Sequence, residues 1–165
     1  MGPLPARTEY ARVRVVLDHP IDEVWTVAGE FGGLETWADG VSACSVEGAS
    51  VGAVRTVTRG GVVREQLETL DPHRHQISYR VLPPHSLPAD DMRGEITLTA
   101  LGPRATEIVW RSDASRFAAP RGPLGARIEA FYRASIQGLD RRLRDAGSAE
   151  AKAAVDAEGR ASHEG

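Results

Sequence analysis

Residues 123–144 read PLGARIEAFYRASIQGLDRRLR, and the spacing of apolar side chains in this stretch decides the fold. Leu124, Ile128, Phe131, Tyr132, Ser135, Ile136, Leu139 and Leu143 recur at steps of three and four, which on a helix places them in one stripe. Arg127, Glu129, Arg133, Asp140, Arg141 and Arg144 fall on the other side and require water. A helix is therefore predicted from Pro123 to Arg144. Nearly everything before it has the period of two of a strand, so the economical way to bury the stripe is to lay it across one curved sheet.

Glu9 to Asp18 alternates Val13, Val15 and Leu17 with Arg12 and Arg14, which predicts a strand with one face to the core. Pro20 opens a helix with Asp22 and Glu23 in its first turn, where the helix dipole favours acids. Gly29, Gly32 and Gly33 interrupt it, and Leu34 to Ala38 is expected as a second short helix. Strands are then predicted at Val41–Gly48, Val51–Thr58, Val62–Leu70, His73–Leu82, Asp91–Leu101 and Arg104–Ser115, separated by regular turn signals. Pro83, Pro84 and Pro88 exclude the segment between the last two hairpins from a sheet centre and place it at an end of the sheet. The expected class is α+β: a curved antiparallel sheet of about seven strands wrapped around a long C-terminal helix, with two short helices after the first strand. Residues 1–8 are expected as an arm, 9–146 as a single domain, and 147–165 as a disordered tail or fraying helix, because Val155 is the tail's only large apolar residue.

The net charge of −3 resides in the tail, since residues 1–144 carry eighteen bases and eighteen acids. This neutral body lacks the one-sided basic surface of a nucleic-acid binder. Cys44 is the only cysteine, so an intrachain disulfide and a cysteine metal site are both excluded; it reads as a small half-buried apolar residue rather than a nucleophile. No run has the apolar length of a membrane span, and the first residues lack a basic start followed by an apolar core, so a cytoplasmic protein is expected. No Walker loop, dinucleotide fingerprint or Gly-x-Ser-x-Gly elbow occurs, and no cofactor is expected; catalysis, if present, rests on acid, base and shape.

Pro20 with Val24-Trp25, Phe31-Gly32-Gly33, Trp37, Val51-Gly52-Ala53-Val54-Arg55-Thr56, Gly61-Val62-Val63-Arg64-Glu65, Leu67, Asp71, Tyr79, Leu87-Pro88 to Asp91, and Trp110 follow one another in an order and spacing that resembles the START and Bet v 1-like superfamily. The particular resemblance is to its bacterial polyketide cyclase/dehydrase branch, over residues 8–144. The resemblance implies a helix-grip fold with a hydrophobic cavity between sheet and long helix. It also implies a small hydrophobic ligand or polyketide-like substrate as partner, in a monomer or homodimer. Met92 stands where the family commonly carries Tyr, which removes a polar contact at the cavity mouth.

Taken as three residues, the turn at Arg59-Gly60-Gly61 sets Arg55 opposite Glu65 and Val57 opposite Val63, on a face shared with Val51, Ala53, Leu67 and Thr69, whereas a two-residue turn puts one of the pair outside. Charges pointing inward there are costly unless paired, and the register supplies the pair. The structural reading is a cross-strand ion pair; the functional one is Arg55 holding a developing oxyanion with Glu65 orienting it or taking a proton. His75, Ile77, Tyr79 and Val81 share a face, so Tyr79 is either a core phenol or a donor to a substrate oxygen. Arg55, Glu65 and Tyr79 are thus the candidate catalytic residues, and Phe31, Trp37, Met92, Ile108, Trp110, Ile128, Phe131 and Tyr132 the candidate walls of the cavity. His73, His75 and His85 lack the carboxylate spacing of a metal site and read as surface residues.

Two functions follow from these residues: a cyclase or dehydratase for a polyketide-like metabolite, or a carrier or sensor that merely orients a lipid-like or aromatic molecule. A third, a partner-regulating module, requires an apolar outer sheet face, whereas alternation puts Arg12, Arg14, Arg64, Arg80 and Arg111 there.

Overall fold

The computed structural model describes residues 6–161. In chain order it contains β1 (Thr8–Leu17), α1 (Ile21–Ala28), a 3-10 turn (Leu34–Thr36), β2 (Ala43–Glu47), β3 (Val54–Arg59), β4 (Gly61–Asp71) and β5 (Gln76–Val81). These are followed by β6 (Ala89–Asp90), β7 (Arg93–Gly102), β8 (Ala105–Ala114), β9 (Arg116–Phe117) and α2 (Arg121–Ala161). Seven strands form one antiparallel sheet in the order β1-β8-β7-β5-β4-β3-β2, and β6 pairs with β9 in a small separate ribbon. Apart from β1, which crosses to pair with β8, the sheet is a meander, so each register is set by a local turn.

The β3–β4 hairpin turns at Gly60, whose φ of +72° suits glycine, and its ladder sets Arg55 opposite Glu65 and Val57 opposite Val63 as the turn length predicts. Between β4 and β5 the register shifts after Leu67, so that Leu67 faces Tyr79 but Thr69 faces Ser78. The extra residue takes Thr69 off the face that strict alternation assigns to it. On the outer face, Arg111 pairs with Glu95 at 3.1 Å and Arg93 with Glu68 at 3.1 Å, half-buried contacts worth about 1 kcal/mol each.

α2 lies across the concave side and packs along β1. Leu124, Tyr132, Ser135, Ile136, Leu139 and Leu143 are buried, while Ile128 and Phe131 of the same stripe are only half-buried. Ile136 and Leu139 are almost completely enclosed, and truncation of either to Ala costs about 2–5 kcal/mol. The helix seats on the loop after the 3-10 turn: Ser135 Oγ accepts the Asp39 N–H at 2.9 Å, and any side chain at Gly138 would overlap the Trp37 carbonyl. Further along, buried His19 meets Asp140 at 2.7 Å, and Thr106 donates to the His19 carbonyl.

Three expectations need correction. The second short helix is only the 3-10 turn, because Gly33 enters it with φ +74° and Trp37 leaves helical geometry at once. The end of the arm is fixed: Arg7 reaches Asp91 and Asp113 at 2.6 Å each, and Thr8 already belongs to β1; residues 1–5 of the arm lie outside the described residues. Of the two forms expected for the tail from residue 147, the helical one is present and not the disordered one as far as Ala161, where α2 continues because Ala, Glu and Lys favour propagation of a helix already nucleated; residues 162–165 lie outside the described residues. From residue 144 to 159 the helix is exposed, because it has no apolar stripe there. No helix among the described residues is long and apolar enough to cross a membrane.

Candidate functional site

The half-burial of Ile128 and Phe131 marks the place where α2 stands away from the sheet. A pocket of about 360 Å³ opens there, within the size range of small-ligand sites. Its sheet wall includes Arg55 and Val57 of β3, Val63 and Glu65 of β4, Tyr79 and Val81 of β5, Gly94 of β7, and Trp110 and Ser112 of β8. Its helix wall is Leu124, Arg127, Ile128, Phe131 and Tyr132, with Ser86, Leu87 and Met92 closing one side.

Arg55 is 4 % exposed and is held from four directions. Nε donates to Glu65 Oε1 at 2.8 Å and Nη1 to the Phe31 carbonyl at 2.9 Å. The guanidinium lies 4.4 Å from the Phe31 ring centroid and 4.6 Å from that of Tyr79, so two aromatic faces enclose the cation. Among the described residues its Nη2 makes no hydrogen bond, and Glu65 Oε2 likewise accepts none. A planar, permanently charged donor is therefore fixed at the pocket wall with capacity to spare.

Tyr79 faces Gly94 in the β5–β7 ladder, and a side chain at Gly94 would overlap the phenol ring. The glycine lets the ring lie across β7 and bring its hydroxyl to Trp110, whose Nε1 donates to it at 3.1 Å. Trp110 in turn stacks on Tyr132 with centroids 4.0 Å apart, and Tyr132 hydrogen-bonds Ser112 through their hydroxyl oxygens. Burial pushes the Tyr79 phenol up to about 12, with the Glu65 charge adding to the effect and Arg55 opposing it. Burial also raises Tyr132 well above the usual phenol range, and raises Tyr10. All three tyrosines are neutral donors at any physiological pH.

Of the residues singled out from sequence, Arg55, Glu65, Tyr79, Met92, Trp110, Ile128, Phe131 and Tyr132 come together on this pocket. Phe31, Trp37 and Ile108 do not line it. Phe31 sits behind Arg55 as its carbonyl acceptor and ring platform. Trp37 packs against Trp110 at 5.7 Å, in the layer outside the wall. Ile108 is two residues back along β8 from Trp110, a step of about 7 Å that carries it into the closed core. Periodicity misses Tyr10, and it assigns Arg127 to the water side of α2 although that residue also lines the pocket. The β1–β8 register shifts between Glu9 and Ala11, and this bulge lets Tyr10 line the pocket although it is out of phase with Val13 and Val15.

Other candidates for chemistry stand apart. Burial raises the Cys44 thiol, which keeps it protonated and inert. His75 packs edge-on against Trp25 at 5.5 Å, and His85 Nδ1 accepts the Leu87 N–H.

The family described as "Polyketide cyclase / dehydrase and lipid transport" matches residues 10–144. Among solved structures, the Zhui aromatase/cyclase from Streptomyces sp. R1128 is 19% identical, with 84% of this chain and 94% of that one aligned at a TM-score of 0.69. A Thermobifida fusca protein solved in solution is 24% identical over 81% of this chain and 91% of its own, with a TM-score of 0.71. The XoxI protein of Bacillus cereus is 14% identical over 86% and 98%, with a TM-score of 0.74. At these identities the likeness is one of fold.

Proposed function

The chain belongs to the polyketide cyclase/dehydrase and lipid transport family, and from that premise we propose that it binds a small hydrophobic metabolite in the pocket beneath α2 and acts on it as a cyclase or dehydratase without a cofactor. The observation that carries this reading is Arg55: a buried guanidinium clamped between two rings, paired to one carboxylate oxygen, with Nη2 uncommitted at the pocket wall.

Cyclisation of a poly-ketone chain requires loss of a proton from a carbon between carbonyls, then attack of that carbon on a second carbonyl. Negative charge develops on oxygen at both stages. Arg55 Nη2 and the Tyr79 hydroxyl supply fixed donors for that charge, and a preorganised donor of this kind is worth roughly 3–4 kcal/mol in the transition state. Trp110 donates into the Tyr79 oxygen, which leaves the phenol's own proton to donate. Glu65 Oε2, uncommitted beside Arg55, takes the carbon-bound proton and returns it to the alkoxide formed when the carbon attacks the second carbonyl. Trp110, Phe131 and Ile128 fold the apolar chain so that the reacting carbons meet.

The family description covers transport as well as cyclisation, so the test must divide the two. A synthetic oligo-β-ketone thioester is incubated with the parent and with Arg55→Met, following ring formation and, by displacement of a dye, affinity. The expected result is turnover by the parent and a loss in Arg55→Met far larger in turnover than in affinity. Binding without turnover by the parent assigns a carrier, and an Arg55→Met protein that melts, binds and turns over like the parent removes Arg55 from the site.

A further inference from the structure

We propose that the hydroxyls of Tyr10, Tyr79, Ser112 and Tyr132 form a donor cluster that selects ligands bearing a weakly acidic ring hydroxyl, a phenol or an enol, and binds them as the oxyanion. The inference rests on the reading above that this pocket is the ligand site, and it adds the chemical class of the ligand.

The chain has three tyrosines in 165 residues, and all three line this pocket, one each from β1, β5 and α2. Two local irregularities bring them there: the β1 bulge at Tyr10 and the mid-strand Gly94 beneath Tyr79. A glycine inside a strand is a conformational cost, which the placement of the Tyr79 ring explains. Ser112 joins the cluster from β8, bonded to Tyr132 and adjacent to Tyr10.

A count of protons shows what the cluster offers. Four hydroxyls carry four protons, and among the described residues one hydrogen bond joins two of them, Ser112 to Tyr132; Tyr10 stands beside Ser112 and Tyr79 beside Tyr132 without such a bond. Trp110 Nε1 has only a donor and uses it on Tyr79, so it absorbs none of them. No carboxylate or carbonyl among the described residues accepts from these hydroxyls. At least one hydroxyl proton therefore has no acceptor among the described residues and faces the pocket, and a ligand that covers it must supply that acceptor or lose the bond.

The acceptor that fits is an anionic ring oxygen. Bonds from a neutral donor to an ionised oxygen are about twice as strong as neutral ones. The burial and the Glu65 and Asp113 charges that keep the cluster's own phenols protonated act against a bound oxyanion too. The donated hydrogen bonds and the nearby guanidinium groups of Arg55 and Arg127 must outweigh them for the ligand's proton to be lost to bulk water. A carboxylate suits the site less well, because the buried cation beside it, Arg55, is already compensated by Glu65. A delocalised phenolate asks for hydrogen bonds more than for a full counter-charge. Arg127 at the pocket wall, exposed and without an ion-pair partner among the described residues, adds favourable potential.

The probe is 4-nitrophenol, whose ionisation near neutrality changes its absorbance, with 4-nitroanisole as the ether that cannot ionise and Nile red as an uncharged apolar dye. The full chain should bind 4-nitrophenol at about pH 8 at least tenfold more tightly than 4-nitroanisole. The bound phenol should ionise at least one pH unit below the free one, a tenfold shift corresponding to about 1.4 kcal/mol. Tyr132→Phe should abolish most of both effects, and Tyr10→Phe, at a half-buried position less demanding for folding, should reduce them while Nile red still binds. Equal affinity for phenol and ether, or an unshifted titration, overturns the inference and leaves the pocket reading standing, as does binding of Nile red alone. Failure of all three probes to bind overturns both.

Discussion

Gly94 lies directly under the Tyr79 ring, across the β5–β7 ladder, in a space that no side chain can share. Gly94→Ala should therefore destabilise the protein by about 1–3 kcal/mol through overpacking. In a double-mutant cycle with Tyr79→Ala most of that cost should vanish, because the smaller residue vacates the space. Chemical denaturation of the four proteins checks it; a Gly94→Ala protein as stable as the parent contradicts the placement of the ring.

Arg55 and Glu65 make one buried ion pair across the β3–β4 hairpin. Glu65→Gln leaves the guanidinium charge uncompensated and should cost about 3 kcal/mol. Arg55→Met removes the charge and retains much of the volume between Phe31 and Tyr79, so Arg55→Met/Glu65→Gln should be more stable than Glu65→Gln alone. Melting temperatures in that order, parent above the double variant above Glu65→Gln, are the expected outcome.

The tyrosines make stability fall at alkaline pH. The Tyr79 phenol ionises at about 12 in the folded chain against 10.0 as its reference value, and Tyr10 and Tyr132 are displaced in the same direction. Above pH 10 the unfolded chain loses phenol protons that the folded chain keeps. It then binds fewer protons than the native state, and unfolding becomes easier as pH rises. The phenols' contribution is complete below pH 10 and is lost as the pH climbs through about 12. Urea midpoints should be flat up to about pH 10 and fall beyond it, and Tyr79→Phe should make the fall shallower. Phenolate absorbance appearing in the folded protein at the pH of free tyrosine argues against this.

Truncation after Ala146 removes helix whose side chains are exposed as far as residue 159. With residues 144–159 exposed, the melting temperature should change by less than about 5 °C while the helical circular dichroism signal falls. A larger loss of stability points to contacts made by the end of α2.

Two properties were legible before any tertiary structure was known, because both are local. The stripe from Leu124 to Leu143 follows from helical period alone, and the Arg55–Glu65 pairing follows from the three residues of the turn at Gly60. From these and the alternation of the strands, the sequence by itself determined the sheet, the helix that lies across it and the inward face of β3 and β4. Periodicity assigns a side chain to a face but carries no information on where along that face packing is dense and where it is open. Ile108 and Trp110 share a face of β8, yet one is closed core and the other is pocket wall. That difference depends on how α2 departs from the sheet, given its close seat at Gly138. Irregularities of pairing are equally invisible to a count of two: the bulge beside Glu9 brings in Tyr10, and the shift after Leu67 turns Thr69 away. Only the tertiary structure decided that three tyrosines and a serine from four separate elements meet, because their meeting is the sum of these small departures from regular geometry rather than a property of any one segment.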